Sequence, residues 1–379
     1  MNTDRIAIIG AGLSGLYAAY LLEQKGIRDY VLIEARDAPG GRIASFPAPG
    51  FTGDDPETKP EPVNGFDLGP TWFWPDLQPQ LGRLIECLGL ERFQQHETGD
   101  MMVERPAAGS AMRVPGHVNF PTSMRLVGGM GALIELLRQR LDAPRMLTGE
   151  VVRRMRCDGQ QVELDTEDAG GRVTRWRVEH ALVALPPRLA EATIEFSPAL
   201  PQDLARQWRA TATWMAAHAK YIAIYDSPFW RQQGLSGEAR SALGPLVEIH
   251  DASMPGGGAA LFGFFGLPAQ LRQCVPEALL RQHCRSQLVR LFGAQASACK
   301  ADFIKDWSRE PFTATSADLV SDPGHARAPA SMVEEAPWSG RMTGIASEWS
   351  PQFPGYVAGA IEAASLGVQA LPRFLRRRG

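Results

Sequence analysis

The first 34 residues alternate between apolar runs and a glycine-rich turn. The apolar run Ile6–Ile9 leads into three glycines, a helical pattern follows over 16–24, and a second apolar run covers Tyr30–Ile33. Short continuous apolar runs bounded by glycine are typical of strands that are buried on both faces of a parallel sheet. The pattern therefore predicts a strand–turn–helix–strand unit at the amino terminus.

The rest of the chain mixes both periodicities. Apolar residues at helical spacing predict further helices over 81–90, 133–141, 279–292 and 359–374. Apolar or alternating runs predict strands over 161–166, 173–179, 181–185, 221–225 and 261–265. Segments rich in proline, glycine and polar residues predict surface loops over 47–64 and 105–123.

Composition limits the protein classes that need to be considered. The chain has 379 residues, enough for two domains, and its hydrophobic share of 44% and charged share of 21% are those of an ordinary globular protein. A net charge of −3 gives no long-range attraction to nucleic acid or to an anionic membrane. No apolar run reaches the length of a transmembrane helix, and we interpret the basic end of the chain, 373–379, as a solvated helix end.

Cysteine usage points to a reducing compartment. The five cysteines are scattered, odd in number and without a Cys-x-x-Cys pair, so a disulfide framework is not expected. No Cys and His spacing matches a zinc site, and we predict no metal. These features, with the absence of an apolar anchor in a short chain, predict a cytoplasmic protein.

The glycine turn carries the first candidate chemistry. Gly10 suits a tight turn, Gly12 lets the backbone approach a pyrophosphate, and Gly15 lets the helix pack closely on the strand. Glu34 lies 19 residues after Gly15, where a carboxylate accepts hydrogen bonds from ribose hydroxyls. The alternative is an α/β unit whose glycines serve packing only. The complete strand, helix and acid favour dinucleotide binding.

Further motifs follow in order along nearly the whole chain. They are the segment Ala35 to Arg42 with its Gly-Gly-Arg ending, Phe-Asp-Leu-Gly-Pro-Thr-Trp at 66–72, a second glycine motif at 126–133, Val-Val-Arg-Arg-Met at 151–155, the proline-marked returns at 184–187 and 194–201, and the carboxy-terminal match at 344–362. In this order the motifs resemble those of the flavin-dependent amine oxidase superfamily, which contains monoamine, polyamine and L-amino acid oxidases.

The resemblance implies the fold and the cofactor. We expect an α/β, two-domain FAD-dependent amine oxidase-like fold in which a Rossmann-type FAD domain (1–75, 125–205 and 335–379) is interleaved with an α+β substrate domain (76–124 and 206–334). It implies FAD contacts at Gly10, Gly12, Gly15, Glu34, Ala35, Gly41, Arg42, Gly69, Pro70, Thr71, Trp72, Val152, Glu348, Gly355, Tyr356 and Val357.

Three residues are implied for amine chemistry. Lys220, followed by Phe229 and Trp230, resembles the lysine strand of the family, whose lysine holds a water near flavin N5; on its own it is equally a snorkelling strand lysine. Trp307 resembles a tryptophan of the substrate domain and is a candidate for either the core or a cavity wall. Tyr356 resembles one wall of an aromatic cage for the amine.

The chain departs from the family pattern at several positions. Ser347 replaces a threonine, and Phe353-Pro354 replaces a tryptophan. Ser316 stands where some members carry a cysteine that is linked to FAD; since serine forms no thioether, we predict non-covalent FAD. Ala317 occupies the position of the second cage wall. That wall is therefore either open or supplied by one of three aromatic residues, Trp349, Phe353 or Trp72.

We therefore predict a flavin-dependent amine oxidase that transfers hydride from the amine carbon to flavin N5 and produces an imine and, with molecular oxygen, hydrogen peroxide. Two alternatives stay open: a flavoprotein desaturase or protoporphyrinogen-type oxidase, and a non-catalytic FAD-binding protein. An external nicotinamide reductant is disfavoured, because the motif at 128–131 lacks a flanking strand and acid. Oligomeric state is undetermined, a homodimer being one option.

The sequence also leaves the substrate open between a monoamine, a polyamine and an amino acid. An amino acid calls for an arginine that clamps its carboxylate, and a polyamine calls for acidic residues. The candidates for these two roles are Arg105, Arg113 and Arg231 for the clamp, and Glu248 and Asp251 for the acids.

Overall fold

A computed structural model describes residues 2–47, 65–106, 110–320 and 327–371. Its strands are β1 Asn2–Thr3, β2 Ile6–Ile9, β3 Tyr30–Ile33, β4 Ser45–Pro47, β5 Gly65–Asp67, β6 Arg92–Gln94, β7 Asp100–Glu104, β8 Met112–Val114, β9 Met124–Leu126, β10 Met146–Leu147, β11 Glu150–Cys157, β12 Val162–Asp168, β13 Val173–Val178, β14 His180–Val183, β15 Glu195–Ser197, β16 Ala219–Tyr225, β17 Leu235–Ser241, β18 Leu246–Asp251, β19 Ala259–Phe265, β20 Ala301–Asp306 and β21 Met342–Gly344. Its α-helices are α1 Leu13–Gln24, α2 Pro79–Leu88, α3 Gly131–Gln139, α4 Pro187–Thr193, α5 Gln202–Ala210, α6 Phe229–Gln232, α7 Ala269–Gln273, α8 Glu277–Phe292 and α9 Val357–Ala370.

A five-stranded parallel sheet forms the first layer, in the order β10–β3–β2–β14–β21. Every residue of β2, β3 and β14 is buried, which is why these strands appear as unbroken apolar runs in the sequence. Helices α1 and α9 pack together beside this sheet and share one apolar core. The predicted strand–turn–helix–strand unit is confirmed.

A second five-stranded sheet, in the order β1–β13–β12–β11–β15, contains the predicted hairpin. Strands β11, β12 and β13 run antiparallel, while β1 and β15 add to the sheet in parallel. Its apolar face packs on the parallel sheet, so that both sheets contribute to one core.

The third sheet has seven strands in the order β20–β16–β19–β18–β17–β7–β8. Its pairs are antiparallel except β17 with β7. Helix α8 packs against the apolar face of this sheet. The strand β16, which carries Lys220, lies between β19 and β20 and is buried along its whole length.

The helices and strands that the sequence predicts lie within a few residues of elements of the structure. The loop prediction for 105–123 is wrong at β8, a short edge strand that pairs with β7. The loop predicted over 47–64 lies almost wholly outside the described residues. The solvated helix end predicted over 373–379 lies entirely outside them. No helix in the described ranges is long and apolar enough to cross a membrane. The interleaved domain bounds stay a prediction.

Candidate active site

The glycine turn joins β2 to α1. The backbone N–H of Gly10 donates to the carbonyl of Ile33 at 2.7 Å, and its φ of +100° favours glycine. A Cβ at Gly15 would lie 1.9 Å from the carbonyl oxygen of Gly10, so this glycine lets the helix pack on the strand, as predicted. A Cβ at Gly12 would meet only the Cα of Gly41, at 3.8 Å. Gly12 thus leaves open space at the amino end of α1.

Glu34 lies at the end of β3, directly beside this turn. It is 3% exposed, and its carboxylate accepts hydrogen bonds from the backbone N–H groups of Ala11 at 2.7 Å and Arg36 at 2.9 Å. These donors fix the carboxylate next to the glycine turn. Its position agrees with the predicted role as an acceptor for ribose hydroxyls.

A cavity of about 540 Å³ runs from the glycine turn to the lysine strand. Of the predicted residues, those that line it are Gly10, Gly12, Glu34, Ala35, Gly41, Arg42, Gly69, Pro70, Thr71, Trp72, Val152, Lys220, Trp307, Gly355, Tyr356 and Val357. Gly15 and Glu348 do not line it. Gly15 lets the helix pack on the strand, and Glu348 binds Arg42, which does line the cavity.

Arg42 and Glu348 form a bidentate ion pair. The guanidinium donates to the two carboxylate oxygens at 2.6 and 2.9 Å, and to the hydroxyl of Ser347 at 3.1 Å. Glu348 is 2% exposed, so its carboxylate is shielded from water and pairs with the guanidinium instead. Two parallel N–H···O bonds fix the plane of a guanidinium. Glu348 therefore orients Arg42 at the cavity.

Lys220 reaches the cavity from the middle of β16. Its Nζ donates to the hydroxyl of Thr71 at 2.5 Å and to the carbonyl of Gly69 at 3.2 Å, and it lies 3.9 Å from the centre of the Phe262 ring. The side chain is 2% exposed. It is tethered inside the protein and does not snorkel to the surface.

Burial lowers the pKa of Lys220 from 10.5 to about 7. The negative charge of Asp67 opposes this shift, and the positive charge of Arg125 adds to it. Asp67 is itself fully enclosed, which raises the pKa of its carboxyl group. Lys220 is therefore close to its midpoint of protonation at neutral pH, where small changes in nearby charge alter the amount of ammonium.

Trp307 follows β20 and closes the same part of the cavity. Its indole Nε1 donates to the carbonyl of Leu68 at 3.1 Å. Its ring packs beside Gly69, where an added Cβ would lie 3.5 Å from it. It is 6% exposed and lines the cavity. Of the two roles left open by the sequence, a cavity wall is the one that this position supports.

The aromatic neighbour of Tyr356 is Trp214, which the sequence analysis missed. The two ring centroids are 6.2 Å apart and the planes are inclined by 32°. Both residues line the cavity. Glycine at position 355 allows this close approach, because a Cβ there would lie only 2.5 Å from the Cβ of Trp214.

Two of the aromatic residues considered as the second wall lie elsewhere. Trp349 packs edge-on against Trp208 in the core, and Phe353 packs in the core around α9. Trp72 does line the cavity.

The loop before β16 contributes two further residues that sequence reasoning missed. Met215 has a φ of +63°, which is strained for a residue with a side chain, and it follows Trp214 in the cavity wall. His218 is exposed and also lines the cavity. Partial burial of its ring and the positive charge of Arg272 lower its pKa. A helical or strand pattern carries no signal for such loop residues.

Arg36 was also missed at the other end of the cavity, although it lies inside a recognised motif. It donates to the hydroxyl of Thr313 at 2.9 Å, lies 5.6 Å from the centre of the Phe312 ring and faces the carboxylate of Glu34. All four residues line the cavity. This contact joins the β3 end to the segment after β20 across the cavity.

The residues of the cavity fit a dinucleotide. Helix α1 begins after Gly12 with no side chain capping its first N–H groups, and the space in front of Gly12 is open. Free N–H groups at a helix amino end bind phosphate. Helix α9 also begins at the cavity wall, after Tyr356.

Comparison with known proteins supports this interpretation. The family model for flavin-containing amine oxidoreductases matches residues 104–371, and that for a Rossmann-like NAD(P)-binding domain matches residues 8–88. The chain belongs to the flavin-containing amine oxidoreductase family. Membership of this family, together with a dinucleotide-binding domain, implies a flavin cofactor.

Two relatives illustrate the range of this family. The chain is 29% identical over 250 residues to the probable flavin-containing monoamine oxidase A of Dictyostelium discoideum, which covers 63% of this chain and 51% of that protein. It is 24% identical over 383 residues to the putrescine oxidase of Kocuria rosea, which covers 71% and 76%. The chain thus spans about half the length of the first relative.

The fold matches that of a solved family structure. Cyclohexylamine oxidase from Brevibacterium oxydans IH-35A superimposes with a TM-score of 0.75 over 99% of this chain and 100% of the other, at 20% identity. The expected α/β amine oxidase-like fold is therefore confirmed. At this level of identity the likeness describes the fold alone.

Proposed function

We propose that this flavoprotein oxidises the carbon–nitrogen bond of an amine, with FAD bound non-covalently. The observation that carries the proposal is the position of Lys220. This lysine is buried, has a pKa of about 7 and lies in the wall of a cavity that begins at the glycine turn. When bound, FAD would supply the two-electron acceptor: hydride from the amine carbon would go to N5 while the amine nitrogen gives up a proton, which leaves an imine, and molecular oxygen would then take the two electrons and two protons to give hydrogen peroxide.

The two ends of the cavity have separate tasks in this proposal. At the glycine turn, the free N–H groups of α1 hold the pyrophosphate, while Glu34 accepts hydrogen bonds from ribose hydroxyls. Arg42 is presented to the cavity by its bidentate contact with Glu348. The helix α9 begins after Tyr356 and directs its positive amino end into the same space.

Lys220 acts on protons at the far end of the cavity. Since its pKa is about 7, at neutral pH Nζ is an ammonium in part of the molecules and a neutral amine, able to accept a proton, in the rest. Thr71 and the carbonyl of Gly69 fix Nζ in place. A fixed ammonium stabilises negative charge that develops nearby, and a fixed amine holds a water or accepts a proton.

The lack of a suitable sulfur at the cavity supports the proposal of non-covalent FAD. None of the five cysteines, all of which lie in described segments, lines the cavity. Ser316, at the position where some family members carry a linked cysteine, is not a lining residue either.

The test is an anaerobic titration of the purified protein with FAD bound, followed at the visible flavin band. Bleaching by an amine, with hydrogen peroxide formed when air is admitted, supports the proposal. The Lys220→Met variant should be slower in at least one of these half-reactions by about 100-fold, the usual effect of removing one preorganised donor. A yellow protein that no amine bleaches contradicts the proposal and favours a desaturase or a non-catalytic flavoprotein.

A further inference from the structure

The lysine end of the cavity is lined by indole rings whose polar atoms point elsewhere. Trp72 donates its Nε1–H to Gln95 at 2.8 Å, Trp74 to Ser123 at 3.1 Å, and Trp307 to the carbonyl of Leu68 at 3.1 Å. All three tryptophans line the cavity. Because each N–H is bonded to the protein, the indoles offer the cavity only their carbon surfaces.

Most charged side chains of the cavity are engaged by protein contacts; the exception is Glu150, whose Oε2 has no hydrogen-bond partner among the described residues, and it lies at the glycine-turn end. Among the described residues, those that line it are Glu34, Arg36, Arg42, Glu150, Arg153 and Lys220. Glu34, Arg36, Glu150 and Arg153 lie at the glycine-turn end, where β3 meets β11. Arg42 is held in the bidentate pair with Glu348, and Lys220 is tethered to Thr71 and Gly69.

The side chains that the sequence offered for a second substrate charge lie outside the cavity wall. None of the five residues lines it, namely Arg105, Arg113, Arg231, Glu248 and Asp251. Arg113 pairs with Asp100, and Arg231 pairs with the buried Asp251. Glu248 binds His250 and Arg240. These four pairings of Arg113, Arg231, Asp251 and Glu248 lie within the seven-stranded sheet and its connections.

His218 is a titratable residue of this wall that lies between Met215 and Lys220 in the sequence. It lies two residues before Lys220, and its carbonyl accepts a hydrogen bond from the backbone N–H of Trp307 at 3.0 Å, which continues the pairing of β16 with β20. Alternation along a strand then directs His218 and Lys220 to the same side. With its lowered pKa, the His218 ring is mainly neutral at pH 7 and adds no charge.

We infer that this cavity takes a monoamine with an uncharged apolar body, and that it rejects diamines and amino acids. The inference rests on the proposed amine oxidation and names its substrate class. The carbon skeleton would pack on the rings of Trp72, Trp74 and Trp307. A second ammonium would be transferred from water to this wall without a carboxylate partner, which is strongly unfavourable. A substrate carboxylate would meet only Lys220, whose Nζ is already bonded to Thr71 and Gly69 and is an ammonium in only part of the molecules, so its transfer is unfavourable as well.

The test compares amines that differ by one charge. The pairs are butylamine with 1,4-diaminobutane, and 2-phenylethylamine with L-phenylalanine, and the readout is kcat/KM together with the rate of anaerobic flavin bleaching. We expect the uncharged-body member of each pair to be favoured by about 100-fold or more, because an unpaired buried charge imposes penalties of that order. Equal or inverted rates would overturn the inference and leave amine oxidation standing. Failure of all four amines would count against both.

A substitution in the wall gives a second measurement. His218→Asp places a carboxylate among the aromatic rings, and we expect it to lower the preference for butylamine over 1,4-diaminobutane at least about tenfold. His283→Asp, at an exposed position on α8, is the matched control and should keep the wild-type preference. A preference that His218→Asp leaves unchanged, in a variant that still binds FAD, would contradict the assignment of this wall to the substrate.

Discussion

Replacing Lys220 by methionine should stabilise the protein at neutral pH, although it removes two hydrogen bonds. Methionine has a similar length and fits an apolar site, whereas the lysine must either bury a charge or give up its proton. The pKa of Lys220 falls from 10.5 to about 7 on folding. The unfolded chain therefore binds a proton that half of the native molecules lack at pH 7.

The size of the effect follows from this shift. Each pKa unit corresponds to about 1.4 kcal/mol, so burial of Lys220 costs about 4 kcal/mol at pH 7. The variant avoids this cost but loses the hydrogen bonds to Thr71 and Gly69, which takes back about 2 kcal/mol of the gain in stability. Lys220→Met should then be more stable than the wild type by about 2 kcal/mol at pH 7.

The pH dependence has a definite sign. Between pH 7 and pH 10.5 the unfolded state binds more protons at this site than the native state, so the wild type gains stability as pH rises. From pH 7 to pH 9 the gain is about 2 kcal/mol, which removes the advantage of the variant. Below pH 7 the advantage is fully present.

The assay is urea unfolding at pH 7 and pH 9, followed by tryptophan fluorescence at saturating FAD. Lys300→Met is the control, because Lys300 is more than half exposed and pairs with Asp226 on the surface. Taking differences between variant and wild type at each pH cancels the titration of other groups. An advantage of Lys220→Met that is absent at pH 7, or equal at both pH values, would refute the reasoning about the buried lysine.

Three other predictions concern the cofactor and its support. Gly12→Ala should fold normally but bind FAD at least about tenfold more weakly. Gly15→Ala should instead reduce the yield of folded protein, because its Cβ would lie 1.9 Å from a carbonyl oxygen. FAD titration and thermal unfolding of the two apoproteins separate these effects. Arg42→Met should destabilise by about 3 kcal/mol by leaving Glu348 buried without its cationic partner, and adding Glu348→Gln should recover much of this; additive losses in the double variant would argue against the pair. Trichloroacetic acid should release all the flavin into the supernatant, and a yellow pellet would contradict non-covalent binding.

The sequence predicted best the elements whose burial is continuous. Strands β2, β3 and β14 are buried at every residue, so their apolar runs have no polar interruption. The short strand β8 was missed because it lies at a sheet edge, where two of its three residues are exposed. Strands β17 and β18 were missed because buried polar residues such as Glu238 break the apolar pattern.

The site shows the same division between local and tertiary information. The glycine turn and Glu34 were predictable since one local unit supplies both the turn and the acid. Lys220 needed the resemblance to a family, because a buried lysine on a strand has no signature of its own. Its lowered pKa comes first from burial by the fold, with Asp67 opposing the shift and Arg125 adding to it, and both of these residues are far away in the chain.

Trp214 illustrates what the sequence does not contain. It lies in a loop, six residues before Lys220, and no periodicity distinguishes it from a surface tryptophan. Its place beside Tyr356 is set by the close approach of Gly355, a contact between segments about 140 residues apart, and by the left-handed backbone of Met215 that follows it. The resemblance implies Ala317 at the position of the second wall, whereas the aromatic ring found beside Tyr356 comes from another segment, at Trp214. Under the proposed function, loops that meet across the cavity determine which amine fits, while the strands behind them determine where Lys220 lies.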